Sequence, residues 1–429
     1  MSSIQQTPPV LSPQAVPGQD APQSLAGTQA APRRLAQVDA LRGFALFGIL
    51  VVNIGVFASP FYGTGIADPV FSRPRDAVVG WLIAWLFETK FYLLFSFLFG
   101  YSFTLQMAAA ERSGSAFEPR FLRRLAGLAV LGLAHALLFY QGDILLTYAL
   151  LGGVLLLCRN MDSRRALRIA LSVTVLVSLA WGVLGVLGLS DPPTADELSQ
   201  YATEAQAAIG AYRGTIATTI AQHWYELTSR IWGVIVLVQG PFVFAMFLAG
   251  YALGRHQALA DPWRQPRVLW ALCALGAVPG LAGSAAYATS SLATVSRGWE
   301  LSGLALDLLT APLLSMSYAA ALLLAMRTRP GAWLAGRLAP AGRMALTNYL
   351  MQSVVCAWIF TAWGLRLSGS VSPGAALLIA VALFLVQLPV SAWWLGRYAY
   401  GPVEWFLRAL TVGAWPAWRR VPAERHPDG

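Results

Sequence analysis

The stretch Arg34-Leu-Ala-Gln-Val-Asp-Ala-Leu-Arg-Gly-Phe-Ala-Leu-Phe-Gly-Ile-Leu-Val-Val-Asn53 begins as a charged membrane edge and becomes a lipid-length apolar helix. Asp39 and Arg42 sit where that helix enters the bilayer, and the amide of Asn53 sits inside it. At about 1.5 Å per residue, Arg42 and Asn53 lie roughly 16 Å apart along the axis. A hydrocarbon core about 30 Å thick then holds Asn53 near or just past its middle. A polar group at that depth is costly without a partner, so it calls for an explanation.

The rest of the chain extends this reading. It is 57% hydrophobic and 12% charged, against about 25% charged for a soluble domain, with a mean hydropathy of +0.57. Apolar runs recur from residue 41 to residue 398 with one sizeable polar gap. The fold class is therefore all-α, a polytopic membrane helical bundle. The alternation of an outer-membrane barrel is missing. The net charge of +10 falls largely as Arg in the short loops, which is the positive-inside pattern and not a nucleic-acid footprint. Cys158, Cys273 and Cys356 lie singly in or beside apolar runs, so neither a disulfide framework nor a metal site follows.

Residues 1–33, rich in Pro, Gln, Ser and Ala, read as a disordered cytoplasmic tail. The membrane domain spans 34–412, and 413–429 is a basic tail. Ten spans are expected, at about 40–58, 91–109, 123–140, 143–158, 166–189, 232–254, 268–289, 303–326, 344–364 and 374–396. Residues 78–90 are expected as an interfacial piece, with a re-entrant segment or an eleventh span as the alternatives. The acidic segment 190–230 is expected outside, partly as amphipathic helix. Every predicted inner loop is Arg-rich, which places both termini in the cytoplasm.

Of four histidines, only His135 falls inside a span. It follows Arg123 and Arg124 by eleven to twelve residues, or roughly 17 Å of rise, about the depth of Asn53 above Arg42. A neutral His oriented by a carboxylate can take a proton from a hydroxyl or amine. Asp143, just after the Gly142 turn, is the nearest carboxylate in sequence. The plainer reading has His135 bonding a neighbouring helix and Asp143 capping the next one. Asp39 and Arg42 share a helix face and, with Arg123 and Arg124, form either an edge cluster or an anion site at the cytoplasmic mouth. Lys90 joins those cations as a candidate anion contact. Glu88, Asn348, Tyr349 and Gln352 are candidates to line a cavity, although such a stripe is commonly helix–helix glue. Walker, dinucleotide, Gly-x-Ser-x-Gly and His-Glu-x-x-His signatures are missing.

Six blocks carry a family resemblance. They are Val38-Asp-Ala-Leu-Arg-Gly43 running on to Asn53, Lys90-Phe-Tyr-Leu-Leu-Phe-Ser-Phe-Leu-Phe-Gly100, His135 with Gly142-Asp-Ile-Leu145, Met246-Phe-Leu-Ala-Gly-Tyr-Ala-Leu-Gly-Arg255, Gly342-Arg-Met-Ala-Leu-Thr-Asn-Tyr349 and Gly401-Pro-Val-Glu-Trp405. In this order they resemble the YeiB-like bacterial inner-membrane proteins (domain of unknown function 418), over about residues 34–412. That family resembles the wider transmembrane acyltransferase superfamily, which includes the lysosomal heparan-α-glucosaminide N-acetyltransferase and bacterial O-acyltransferases and shares the Asp-x-x-Arg-Gly opening. The resemblance implies transfer of an acyl group from cytoplasmic acyl-CoA to an acceptor across the membrane. The O-acyltransferases carry a His eleven residues after the signature Arg, where this chain has Asn53. The heparan enzyme has Asn there and a His eleven residues further on, where this chain has Thr64. His135 is then the remaining intramembrane base.

The expectation is a multi-pass protein of the bacterial inner membrane that uses acyl-CoA as donor and no metal. Arg42, Asp39, Arg123, Arg124 and Lys90 would hold the donor, and His135, Asp143 and Asn53 would perform the chemistry. The acceptor would be a glycan, a lipid or a small metabolite, and the remaining partner is the bilayer. The rival readings are a permease for a small polar or anionic solute and a non-catalytic scaffold.

Overall fold

An unbroken apolar helix over the 39 residues Pro74–Arg112 would be about 58 Å long, nearly twice the lipid core. The computed structural model shows where it breaks: α2 (Pro74–Leu86) ends and α3 (Lys90–Arg112) begins across Glu88 and Thr89. Thr89 holds φ 65°, a left-handed value that a β-branched residue adopts under strain. The structure describes residues 35–187, 194–291 and 296–419. The expected tail 1–33, residues 190–193 of the polar segment and residues 420–429 fall outside these.

Among the described residues every regular element is helical, and Tyr398 and Arg419 form an isolated bridge. α1 (Ala36–Ala58) is the central rod. α4 (Phe117–Leu138), α5 (Leu145–Leu157) and α6 (Ser163–Val186) follow α3. The polar segment supplies α7 (Ala195–Arg213) and α8 (Ile216–Glu226). α8 leads through two π-helical turns around α9 (Trp232–Val234) into α10 (Gly240–Arg255). Then come α11 (Pro266–Ser290), α12 (Arg297–Ala325), α13 (Arg329–Arg343), α14 (Ala345–Phe360), α15 (Pro373–Arg397) and α16 (Pro402–Val412). Among the described residues, eight helical stretches are long and apolar enough to cross a membrane, and α5 and α14 are shorter apolar helices. This is a multi-pass membrane bundle.

Two amphipathic helices, α13 and α16, occupy chain outside the expected spans. α13 carries Pro330, Pro340 and three arginines, and α16 is only three turns long. Both lie on the Arg-rich side, where they close the ends of spans and do not cross.

Glycine sets the closest approaches. α1 crosses α13 where Gly43 faces the Leu338 carbonyl and Gly342 faces the Asp39 carbonyl. α3 crosses α10 where Gly100 meets the Phe247 carbonyl and Gly250 meets the Phe97 carbonyl. A Cβ at any of these would fall on backbone. In lipid, where apolar burial between helices gains little, such contact is a main source of association. Gly250→Ala should therefore destabilise the protein by about 1–3 kcal/mol. Gly153→Ala, whose Cβ would meet nothing within 4 Å, should be near neutral. Thermal unfolding of the two variants in one detergent measures the difference.

Candidate functional site

The last turn of α4 reverses on one residue. The His135 carbonyl accepts from both Phe139 N and Tyr140 N (2.9 Å each), and the chain turns through Gly142 into α5. Asp143 then serves two purposes. Its Oδ2 accepts from Leu146 N (2.8 Å), which ties the first turn of α5. Its Oδ1 accepts from His135 Nδ1 (2.8 Å). Gly132 makes room, since a Cβ there would lie 2.6 Å from Asp143 Oδ2. Both side chains are 1% exposed. In a neutral imidazole whose Nδ1 proton lies on the carboxylate, Nε2 is the nitrogen with the lone pair. Nε2 is buried with no hydrogen-bond partner among the described residues.

Two tyrosine rings meet this pair, one from α14 and one from the α4–α5 turn itself. The Tyr349 ring of α14 lies 5.1 Å from the His135 ring, and Tyr140 lies 6.1 Å away. Tyr140 stacks on Phe57 (4.8 Å), and its hydroxyl donates to Asn53 Oδ1 (3.2 Å). Asn53 and His135 thus belong to one cluster through Tyr140, the residue on which the expected span 123–140 ends. The cluster lies nearer the Arg-poor end than mid-membrane, because α4 starts at Phe117, before Arg123. His135 is three residues from the end of α4, and Asn53 is five from the end of α1.

The cations divide. Arg42 pairs with Asp39 (2.8 Å) and donates to Ser102 Oγ of α3. Arg124 donates to Gln106 Oε1 (3.2 Å), lies within electrostatic reach of Arg42 and Glu404, and buries an Nε that finds no hydrogen-bond partner among the described residues. Arg123 is exposed. Lys90 is not at this mouth. It lies twelve residues before Ser102 on α3, about 18 Å away. There it is fully buried against Asp307 (3.0 Å) and the Ala84 carbonyl (3.1 Å). Asp307, a fully buried acid within a long apolar helix, is the residue the sequence reading missed. Two of its neighbours donate to it, Thr89 Oγ1 (2.7 Å) and Ser284 Oγ (2.7 Å). Glu88 accepts from Tyr62 and Tyr287.

Of the expected cavity-lining stripe, two members are helix–helix glue. Asn348 donates to the Ala341 carbonyl (3.1 Å) and Ser391 Oγ (2.9 Å), and Gln352 donates to Gln387 Oε1 (2.8 Å). Their amides are spent on α13 and α15, so only Tyr349 faces the site. Glu404, also missed, joins two sequence blocks. It accepts from Leu346 N (2.7 Å), Thr347 N (3.0 Å) and Thr347 Oγ1 (2.5 Å) at the start of α14. Burial pushes its carboxyl up, against the pull of those bonds.

The sequence model of a family described as a protein of unknown function, DUF418, matches residues 253–414. YxaH of Bacillus subtilis is 34% identical over 398 residues, covering 89% of this chain and 95% of its own. YeiB of Escherichia coli is 28% identical over 420 residues, covering 89% and 97%. A 39.9 kDa protein encoded in the amylase 3′ region of Bacillus acidopullulyticus is 28% identical over 386 residues, covering 88% and 94%. All three are described as uncharacterised.

Two measurements check this geometry. Lys90→Met should cost about 3–5 kcal/mol by stranding Asp307, and adding Asp307→Leu should recover most of it. Thermal unfolding of the single and double variants reads this directly. On α8, buried His223 donates to the Leu137 carbonyl (3.0 Å). Burial pushes its pKa from 6.5 down to about 4. The unfolded chain therefore binds the extra proton first. His223's contribution, about 3 kcal/mol, is complete above the unfolded value and is lost as pH falls toward the folded one. His223→Gln should flatten that part of a stability–pH curve.

Proposed function

The chain belongs to the DUF418 family of YeiB-like membrane proteins, and within it we propose a transmembrane acyltransferase of the bacterial inner membrane. The observation that carries this reading is His135: a buried imidazole oriented by Asp143, with Nε2 left for a ligand. Acyl-CoA docks from the cytoplasm, with its phosphates on Arg42 and Arg124. Its thioester reaches the His135 level, eleven residues or about 16 Å further along α1 and α4. On α1 the intervening Leu46, Ile49 and Leu50 are buried, so the donor arm enters by parting them.

The acceptor, a hydroxyl or amine on a glycan, lipid or small metabolite, arrives from the Arg-poor side. His135 Nε2 takes its proton as the oxygen or nitrogen attacks the thioester carbonyl. The Asn53 side-chain NH2 donates to the developing oxyanion, and the Tyr140 hydroxyl holds that amide by donating to its Oδ1. As the C–S bond breaks, the imidazolium returns the proton to the CoA sulfur. Asp143 holds the tautomer throughout, as the carboxylate of a Ser-His-Asp triad does. A permease is favoured by one observation, the Lys90–Asp307 pair inside the spans, because buried charges also line translocation paths.

The test incubates purified protein with labelled acyl-CoA, with and without lysate glycans and metabolites. His135→Ala should abolish transfer while leaving insertion intact. Asp143→Asn should lower turnover by about 10²–10⁴-fold. Arg42→Ala should raise KM for acyl-CoA more than it lowers kcat. Unchanged transfer in His135→Ala rejects the base. Solute uptake into proteoliposomes without any transfer supports the permease.

A further inference from the structure

Helices α7 and α8 lie across the Arg-poor ends of α1 and α4. On α8, His223 Nδ1 donates to the Leu137 carbonyl in the last turn of α4 (3.0 Å). On α7, Arg213 donates through Nε to the Ser368 carbonyl (2.6 Å) and through Nη2 to Ser370 Oγ. The loop that receives Arg213, residues 361–372, is itself pinned to the bundle. Gly369 N donates to the Ala58 carbonyl at the end of α1 (2.6 Å), and Trp363 Nε1 donates to the Leu138 carbonyl of α4 (2.8 Å). Ile209 of α7 packs on the same loop, where a Cβ at Gly369 would lie 2.8 Å from its Cδ1.

Beneath this cover is a cavity of about 10 Å³, lined by Phe57, Tyr140, Gln141, Tyr212, His223 and Thr361 among others. It has room for about one water. Tyr140 joins it to the site, since that side chain bonds Asn53 and its ring lies 6.1 Å from the His135 ring. The cavity is therefore a step between the Arg-poor side and His135, and α7 and α8 shut it. They are thinly attached. Ala205, Ala208 and Tyr212 are the buried residues of α7, which has 19, and Thr219 and His223 those of α8, which has 11. A segment that buries so little of itself opens more readily than the core. It continues into the bundle through two π-helical turns, Leu227–Ile231 and Ile235–Gln239, with Gly233 between them. Such turns recur at functional sites.

We propose that α7–α8 is a hinged lid over a port that leads from the Arg-poor side to His135. The π-helical turns are the hinge, and Arg213 on Ser368 and Ser370 is the latch. Closed, the lid leaves the water-sized cavity. Open, it exposes the phenol, amide, imidazole and hydroxyl groups of the lining, which both donate and accept hydrogen bonds. The port thus suits a ligand bearing hydroxyl or amine groups. Under the acyl-transfer reading that ligand is the acceptor. The lid itself concerns access alone, and it stands whether or not the chain transfers acyl groups.

Diethyl pyrocarbonate, which modifies neutral imidazole, tests this on the full-length protein in nanodiscs. Peptide mass spectrometry reads each histidine, and exposed His256 is the internal reference. Arg213→Ala should speed modification of His135 about tenfold relative to His256, the factor by which losing one charge-assisted hydrogen bond shifts an opening equilibrium. Ile209→Cys with Gly369→Cys places two thiols within bridging reach. Oxidation of that double variant should protect His135, and reduction should restore its rate. Added to Arg213→Ala, the oxidised bridge should cancel the gain. Equal His135 rates in wild type and Arg213→Ala overturn the proposal. So does a gain that the bridge leaves in place, which marks entry from the lipid or from the Arg-rich side. If Arg213→Ala does not insert, the double variant decides alone, and equal rates in its oxidised and reduced forms count against the lid. If the bridge does not form, Arg213→Ala decides alone.

Discussion

A polar group surrounded by lipid has no water to turn to, so each one in this bundle must find its partner within the protein. The fold follows that constraint closely. Lys90 is answered by Asp307, and Asn348, Gln352, Gln387 and Ser391 bond one another between α14 and α15. Glu404 reaches up from α16 to satisfy the backbone at the start of α14. Where all the partners are protein groups, a residue is structural. Where the described residues leave a buried polar atom without a partner, as at His135 Nε2, the group keeps a free hydrogen-bonding position.

The same constraint separates the molecule into two poles. Arg42 and Arg124 collect at the Arg-rich ends of α1 and α4, and Asn53 and His135 collect near the opposite ends of the same two helices. Two rigid rods therefore carry both poles at a fixed spacing. Tyr140, in the turn that also presents Asp143, closes the gap between the rods by bonding Asn53. The short α4–α5 connection thus presents Asp143 to His135 and bridges to α1 at once.

How much of this the sequence carried depends on the range of each interaction. Span positions and the Arg ladder are local properties of hydropathy and charge, and helices such as α1 and α15 lie within a few residues of where they are expected. The His135–Asp143 bond is also local, eight residues across a Gly-containing turn. Asp307 was hidden because a single acid in the apolar run of α12 declares its partner only when α3 folds against it. Asn348 and Gln352 show the reverse case. Their spacing predicts a stripe, but whether that stripe faces a cavity or α15 depends on packing that no periodicity records. Helices α13 and α16 lie outside the expected spans, because two prolines and three arginines break the apolar run in α13 and α16 has only 11 residues.

The account rests on His135 presenting a bare Nε2 to the interior. Nitrogen-15 NMR of histidine-labelled protein at alkaline pH, with the His135 signal assigned by its loss in a substituted variant, reports which ring nitrogen bears the proton. The account predicts a protonated Nδ1, a lone pair on Nε2, and a change at Nε2 when ligand enters. A protonated Nε2, or a signal that matches water-exposed histidine, would contradict it.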